Sequence, residues 1–531
     1  MDENKNILGV MIDCSRNAVM NVTSVKRFVD IIAKMGYNTI MLYTEDTYEV
    51  NHQPFFGHQR GRYTKNEIRE IDAYCISKGI ELIPCIQTLA HLNCMLKWTK
   101  TYDCIRDCDD ILLAEEEKTY ELICDMFSTI TECFSSKRIN IGMDEAYNVG
   151  LGKYLEKHGF QERFDVINRH LHKVCDIAEE YGLSPMIWSD MFCKLALGNN
   201  DYYQAGDLEE IRKKANLPEN VSLCYWDYYS NDYDRYQKMI QVNQAFEREV
   251  FFAGGAWTWK GFAPDNQMSI DNTLPAVKAC RDSHVNNMIF TMWGDDGGEC
   301  SRFGVLPALF YAAQAANGNQ DEENIRAQFQ KTFGMEIDAF LLLDQTDRAC
   351  KGEDGTLAKH LFYNDPFIGL LDYKLYGTEN QYYAELCNKL DQLVVSEEYS
   401  KMFAYIKALC NVMSVKSDLG LRTRNAYVEG NKEALKAIAE KEYTLAIERT
   451  HVFHKIYQDW WMSENKPQGF EVQDLRIGGV IQRLESCKER ILSYCSGELE
   501  SIPELEEPVL PQDAGTTWAR IVTPGVISHA V

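Results

Sequence analysis

The chain of 531 residues contains no run of 18 consecutive apolar residues, so no segment has the length and character of a membrane-spanning helix. Basic charge is in short supply: 80 acidic against 55 basic side chains give a net charge of -25. That balance repels a phosphate backbone and argues against nucleic acid as a partner. No CxxC pair occurs among its 18 cysteines, which are scattered singly from Cys14 to Cys495 and so read as reduced, buried, small apolar side chains. The opening MDENKNILGVMID lacks a basic stretch ahead of an apolar one. It therefore does not read as a secretory signal, and a soluble cytoplasmic protein is expected. Proline is missing between Phe367 and Lys466, which leaves that stretch free to form long helices.

What is present is an ordinary globular balance, 45% hydrophobic and 25% charged, with material for more than one core. The first part alternates short β-rich runs with helical patterns. Near-continuous apolar stretches occur at 7–13, 38–44, 80–86, 139–143, 185–189, 222–228, 250–255 and 287–293, as strands covered on both faces require. Between them lie helical patterns such as 24–36 and 162–182, each ending in a glycine suited to a left-handed C-cap. Eight such units predict an α/β fold, a (β/α)8 TIM barrel over residues 1–318. A mostly α-helical domain is expected over 319–531, with Leu435, Ile438, Leu445, Val452 and Ile456 as the apolar face of a helix spanning 431–461. The tail from Ser501, carrying Pro503, Pro508, Pro511 and Pro524, is expected to be irregular, either wrapping a surface or a partner subunit or lying loose.

In such a barrel the chemistry sits where strands end, and the residues there are polar. Asp13 and Arg16 follow the first run, Glu45 and Asp46 the second, Gln87 and His91 the third, and Asp144 and Glu145 the fourth. Tyr225, Asp227 and Tyr229 belong to the sixth, and Trp293 and Asp295 to the eighth. Asp144 and Glu145 can share a pocket only where the backbone turns out of its strand. Held together there, their acidities diverge, giving a proton donor beside a group that stays ionised. Five of the nine tryptophans (Trp188, Trp226, Trp257, Trp259 and Trp293) cluster at the ends of runs five to eight. Aromatic walls with a few carboxylates and an arginine suit a sugar, whose ring has apolar faces and a polar rim.

GMDEA (142–146) resembles the Asp-Glu signature of the β-N-acetylhexosaminidases of glycoside hydrolase family 20. The likeness extends to VMIDCSR (10–16), LYTED (42–46), the stretch 61–91 ending in His91, and WGD (293–295). As a whole the chain looks most like the family's intracellular streptococcal-type N-acetylglucosaminidase branch. The resemblance implies exo cleavage of terminal N-acetylglucosamine, and of N-acetylgalactosamine, by a retaining route in which the substrate's own acetamide is the nucleophile. It implies Glu145 as general acid and base, Asp144 as the group orienting the acetamide, and Tyr225 as its hydrogen-bond donor, chosen because Tyr-x-Asp with Asp227 fits the family spacing. Tyr229, of the same strand parity, stays open. Trp188, Trp257 and Trp293 would wall the pocket, Arg16 and Asp295 would grip hydroxyls, and Glu45 and His91 would support Glu145. Three departures stand out: the third strand reads CIQTLAH without the family's usual acid, the second-strand pair is Glu-Asp, and the eighth-strand acid is Asp295 in place of Glu.

No cofactor or metal is expected. GLGKYLEKHG lacks the third glycine of a dinucleotide motif, His170 and His172 fall on opposite sides of a helix, and His451 with His454 has no nearby Cys or third ligand. Other readings of the same residues are a two-carboxylate retaining β-glycosidase and a non-catalytic carbohydrate-binding barrel. A homodimer is expected from the apolar helical stripes and the Trp-containing tail.

Overall fold

The computed structural model describes residues 6–196, 216–349 and 357–509. Its first part is a closed barrel of eight parallel strands in sequential order: β1 (Leu8–Asp13), β2 (Thr39–Tyr43), β3 (Glu81–Cys85), β4 (Arg138–Asn140), β5 (Ser184–Trp188), β6 (Ser222–Trp226), β7 (Val250–Gly255) and β8 (Asn287–Met292). All eight sequence runs become strands: β7 spans its run in full, β4 and β5 begin one residue early, and the other ends are trimmed by a residue or a few. The ring shuts where Leu8 pairs with Met288 and Ile12 with Met292.

Strand alternation sorts the side chains into two shells. Met11, Met41, Ile83, Met186, Phe251 and Ile289 fill the barrel interior. Their neighbours Val10, Ile12, Ile40, Leu42, Leu82 and Phe252 face outward into the layer shared with the helices. The helices begin and end on local signals. In Val22–Met35, Asn21 accepts from the Ser24 amide at one end and Gly36, at φ 93°, closes the other. Lys65–Ser77 opens with a capping box between Thr64 and Glu67.

Beyond β8 the described chain is helical, as expected. Glu379–Asp391, Ser400–Lys416 and Thr444–Glu464 pack side by side, and Phe470–Ser496 lies against the last of these. The helix expected over 431–461 forms, but its buried face is a different one. Leu435 is buried, whereas Leu445 and Val452 are 36% and 53% exposed. Residues Ile438–Tyr443 form a π turn, which rotates everything beyond it, so that Ala446, Phe453, Tyr457 and Trp460 meet the core instead. The described part of the tail forms one short helix, Pro503–Glu506. Arg424 holds it by donating to the carbonyls of Glu504, Leu505 and Glu507. Residues 510–531, including Trp518, lie outside the described residues.

Candidate active site

β4 ends at Asn140, and the backbone then turns through left-handed conformations at Gly142 (φ 76°), Met143 (72°) and Glu145 (51°). A side chain at Gly142 would bring its Cβ to 2.1 Å from the Gln87 amide oxygen and 2.8 Å from the Ile86 carbonyl, so only glycine fits the turn. The turn brings the consecutive Asp144 and Glu145 to one cavity. Gln87 fixes the first of them: its amide donates to Asp144 Oδ1 (2.7 Å) and to the Tyr43 hydroxyl (2.9 Å), while its oxygen accepts from the Met143 amide (3.2 Å). His91 Nε2 lies 3.3 Å from Asp144 Oδ2 and 3.7 Å from Glu145 Oε2, as a charge contact and not an aligned hydrogen bond. Burial works against charge on both partners, but the Asp144 carboxylate raises His91 to about 9, and His91 in turn holds Asp144 below its usual value.

Glu145 is the more open of the pair, its side chain 42% exposed. The Tyr147 hydroxyl donates to Glu145 Oε1 (3.2 Å), and the Glu145 amide donates to Asp190 Oδ2 (3.0 Å). Asp190, the first residue of the helix Asp190–Ala196 that follows β5, is fully buried. Burial, reinforced by the nearby Asp144 charge, pushes it up to about 7.

Across the mouth, Arg16 reaches Asp13 Oδ2 (3.1 Å) and Glu45 Oε1 (3.2 Å) and lies over the Tyr43 and Trp293 rings. Burial disfavours ionised Asp13, but Arg16 and Arg302 hold its pKa below the ordinary carboxylate range. Glu45 moves the other way, because burial outweighs Arg16. Asp295 shares the cavity with Arg16, and burial raises it to about 6 despite that guanidinium. The remaining walls of this cavity are aromatic: Trp188, Trp226, Tyr228, Tyr229, Trp259 and Trp293.

Two family models match the chain. The Glycosyl hydrolase family 20 catalytic domain matches residues 8–245 and the Glycoside Hydrolase 20C C-terminal domain matches 338–521. The chain belongs to glycoside hydrolase family 20. It is 21% identical over 355 residues to Hexosaminidase D of Bos taurus, covering 60% of this chain and 95% of that one. It is 25% identical over 274 residues to a Beta-hexosaminidase of Akkermansia muciniphila, covering 43% of this chain and 54% of the relative. The chain thus spans about half the length of that bacterial protein. A solved GH20 exo β-N-acetylglucosaminidase from Vibrio harveyi is similar at a TM-score of 0.46 and 15% identity, over 62% of this chain and 57% of that one.

Within this family 20 site, four sequence expectations need correction. Tyr225 points away from the cavity: Cys224 and Trp226 of β6 face inward, so the residue between them must face out, where it packs on Phe252. Asp227 follows it outward, accepting from the Tyr225 hydroxyl (3.2 Å) and pairing with Arg235 (3.1 Å). Its contact with the site is indirect, through the Tyr229 amide (3.3 Å). Trp257 lies one layer back, its ring 4.1 Å from that of Trp259, which takes the cavity surface instead. Glu45 pairs with Arg16 and not with Glu145.

Sequence reasoning passed over Asp190 and Tyr147 and left Gln87 without a role. Asp190 carries the same signal as Asp144, a carboxylate directly after an apolar run, so it was open to detection. Gln87 acts through a contact across loops that spacing does not encode, and Tyr147, two residues from Glu145, reaches it only because the turn folds back. Among the described residues no group of three or more His, Cys, Asp and Glu side chains is arranged to hold a metal ion.

Proposed function

We propose that this family 20 glycoside hydrolase is an exo-acting β-N-acetylhexosaminidase, removing terminal N-acetylglucosamine, and N-acetylgalactosamine, with retention at the anomeric carbon. The observation that carries the reading is the unequal carboxylate pair. Asp144 is buried and held ionised between Gln87 and His91, and the adjacent Glu145 stands open to the cavity. With Gln87 on one oxygen and His91 facing the other, Asp144 is poorly placed to attack carbon and well placed to accept an amide N–H. It orients the substrate's 2-acetamido group. Glu145 protonates the glycosidic oxygen, the C1–O bond breaks, and the acetamide oxygen closes on C1 to give an oxazolinium ion beside the Asp144 charge. The aglycone departs as the alcohol. Glu145, now a carboxylate, takes a proton from water as that water attacks C1 and reopens the ring.

Tyr229, on the cavity wall, supplies the hydroxyl for the acetamide oxygen, while Trp188, Trp259 and Trp293 enclose the methyl group and the sugar face. Arg16 and Asp295 bind the ring hydroxyls and close off the non-reducing end. The test is release of nitrophenol from p-nitrophenyl N-acetyl-β-D-glucosaminide by the wild type beside Asp144→Asn. Turnover that falls at least about a hundredfold in the variant supports the reading. An unaffected variant overturns the mechanism. Equal turnover of the plain β-glucoside overturns the role of the acetamide.

The match to the 20C C-terminal domain supports placing the chain in the streptococcal-type branch. A reducing, cytoplasmic setting is supported by 17 described cysteines that are all free. No helix among the described residues is long and apolar enough to cross a membrane. A homodimer is supported by the outward-facing Leu445 and Val452 of the helical domain.

A further inference from the structure

The turn after β8, residues 293–301, carries Asp295 into the cavity and is buried along most of its length. It is tied forward to the barrel: the Gly294 amide donates to Asp13 Oδ2 (2.9 Å), and the amides of Gly297 and Gly298 fold back on the Gly294 carbonyl. Behind it lies a cluster that catalysis does not use. Glu299 binds Lys359 through one oxygen and Arg476 through the other, both at 2.6 Å, and all three side chains are at most 1% exposed. Lys359 and Arg476 come from the helical domain, on Leu357–Tyr363 and Phe470–Ser496. Both also donate to one barrel atom, the carbonyl oxygen of Asp296, at 3.0 and 2.6 Å. The Tyr457 hydroxyl completes the grip on the Glu299 carbonyl (2.8 Å).

A buried cluster of two cations and one anion contributes little net stability, because desolvation offsets the attraction. What it delivers is geometry: charged donors with fixed directions on a backbone atom one residue from Asp295. The glycines show how tight the fit is. A Cβ at Gly297 would lie 2.8 Å from Arg476 Nη1, and one at Gly298 would lie 2.8 Å from the Arg16 carbonyl. The helical domain also braces the Arg16 turn, where the Lys466 amide donates to the Val19 carbonyl (2.7 Å). We propose that the helical domain completes the sugar site, with Arg476 and Lys359 as positioning residues that set Asp295 through Glu299 and the Asp296 carbonyl. This rests on the reading of Asp295 as a ligand for a sugar hydroxyl.

The test is a cycle of Arg476→Lys, Asp295→Ala and the double variant in the full chain. It reads kcat and KM on the aryl N-acetylglucosaminide, N-acetylglucosamine affinity by calorimetry, and Tm. Arg476→Lys keeps the charge and loses the planar fork. It should raise KM and weaken sugar binding by about tenfold with kcat within about twofold, and the loss caused by Asp295→Ala should shrink severalfold in its background. Lys407→Met, which breaks an exposed ion pair of the same domain, should leave both unchanged. A folded Arg476→Lys with wild-type KM and a lowered Tm overturns the inference, as does full additivity with Asp295→Ala. If Arg476→Lys fails to fold, Lys359→Arg enters the same cycle with the same criteria. A wild type that neither binds nor cleaves the sugar overturns the reading of the site itself, and the inference with it.

Discussion

At the scale of single residues, His91 and the two tyrosines of the β6 region make the sharpest claims. His91 is raised from 6.5 to about 9 because it faces Asp144, so its contribution to stability is complete below about 6.5 and is lost as pH rises through 9. Asp144 is lowered, so its contribution is present above 3.8 and is lost as pH falls below that value. The pair is therefore at full strength between about pH 4 and 6.5. Thermal unfolding of the wild type should show stability declining between pH 6.5 and 9. His91→Gln should be less stable at pH 6 by on the order of 2 kcal/mol and converge on the wild type near pH 9.5. Parallel unfolding curves at both pH values would contradict this. Tyr229 and Tyr225 separate function from packing. Tyr229→Phe should lower kcat/KM on the aryl N-acetylglucosaminide by about tenfold or more, the cost of one hydrogen bond to developing charge. Tyr225→Phe, which removes the bond to Asp227 outside the cavity, should stay within about threefold of wild type.

At the scale of elements, the eight strands were legible because a strand covered on both faces must be apolar throughout, and each run stands out against the polar helices around it. What alternation could not supply was the point at which it stops. β6 ends at Trp226, so Tyr225 and Tyr229 share a parity on paper that has no meaning in space: one lies within the strand and faces out, the other follows it in a loop. The helix over 431–461 shows the same limit, since a single π turn moves the apolar stripe off the core. The Asp144-Glu145 turn is a further case. The dipeptide was visible, but the three left-handed residues that deliver both carboxylates to one cavity are a property of the turn. Gly142→Ala should force the turn away from Gln87 and Ile86. Turnover should fall by at least about tenfold and stability by about 1–3 kcal/mol. Gly159→Ala has a similar φ of 71° and open space around its Cβ, so it should lower stability by about 1 kcal/mol and leave turnover intact. Equal effects of the two substitutions on turnover would show that the turn geometry is not what matters.

At the scale of the whole molecule, the helical domain is bound to the barrel at the catalytic end, where the Arg16 and Asp295 turns meet Lys466, Lys359 and Arg476. One face of that domain is thus committed inward. The rephased helix Thr444–Glu464 leaves Leu445 and Val452, seven residues apart and so on one side, 36% and 53% exposed. A net charge of -25 keeps copies of the chain apart over most of their surface, so association has to concentrate where apolar side chains break that field. Burial of such side chains in a partner is worth about 1.5–3 kcal/mol each, and a two-fold pairing counts each of them twice. Light scattering at micromolar concentration should therefore report a dimer. Leu445→Glu with Val452→Glu should shift it to a monomer without loss of the fold, since neither side chain supports the core. Salt separates the two contributions: raising ionic strength screens the repulsion between copies and should tighten the wild-type dimer, while the double variant should remain monomeric. A wild type that is monomeric at both low and high salt would refute the pairing.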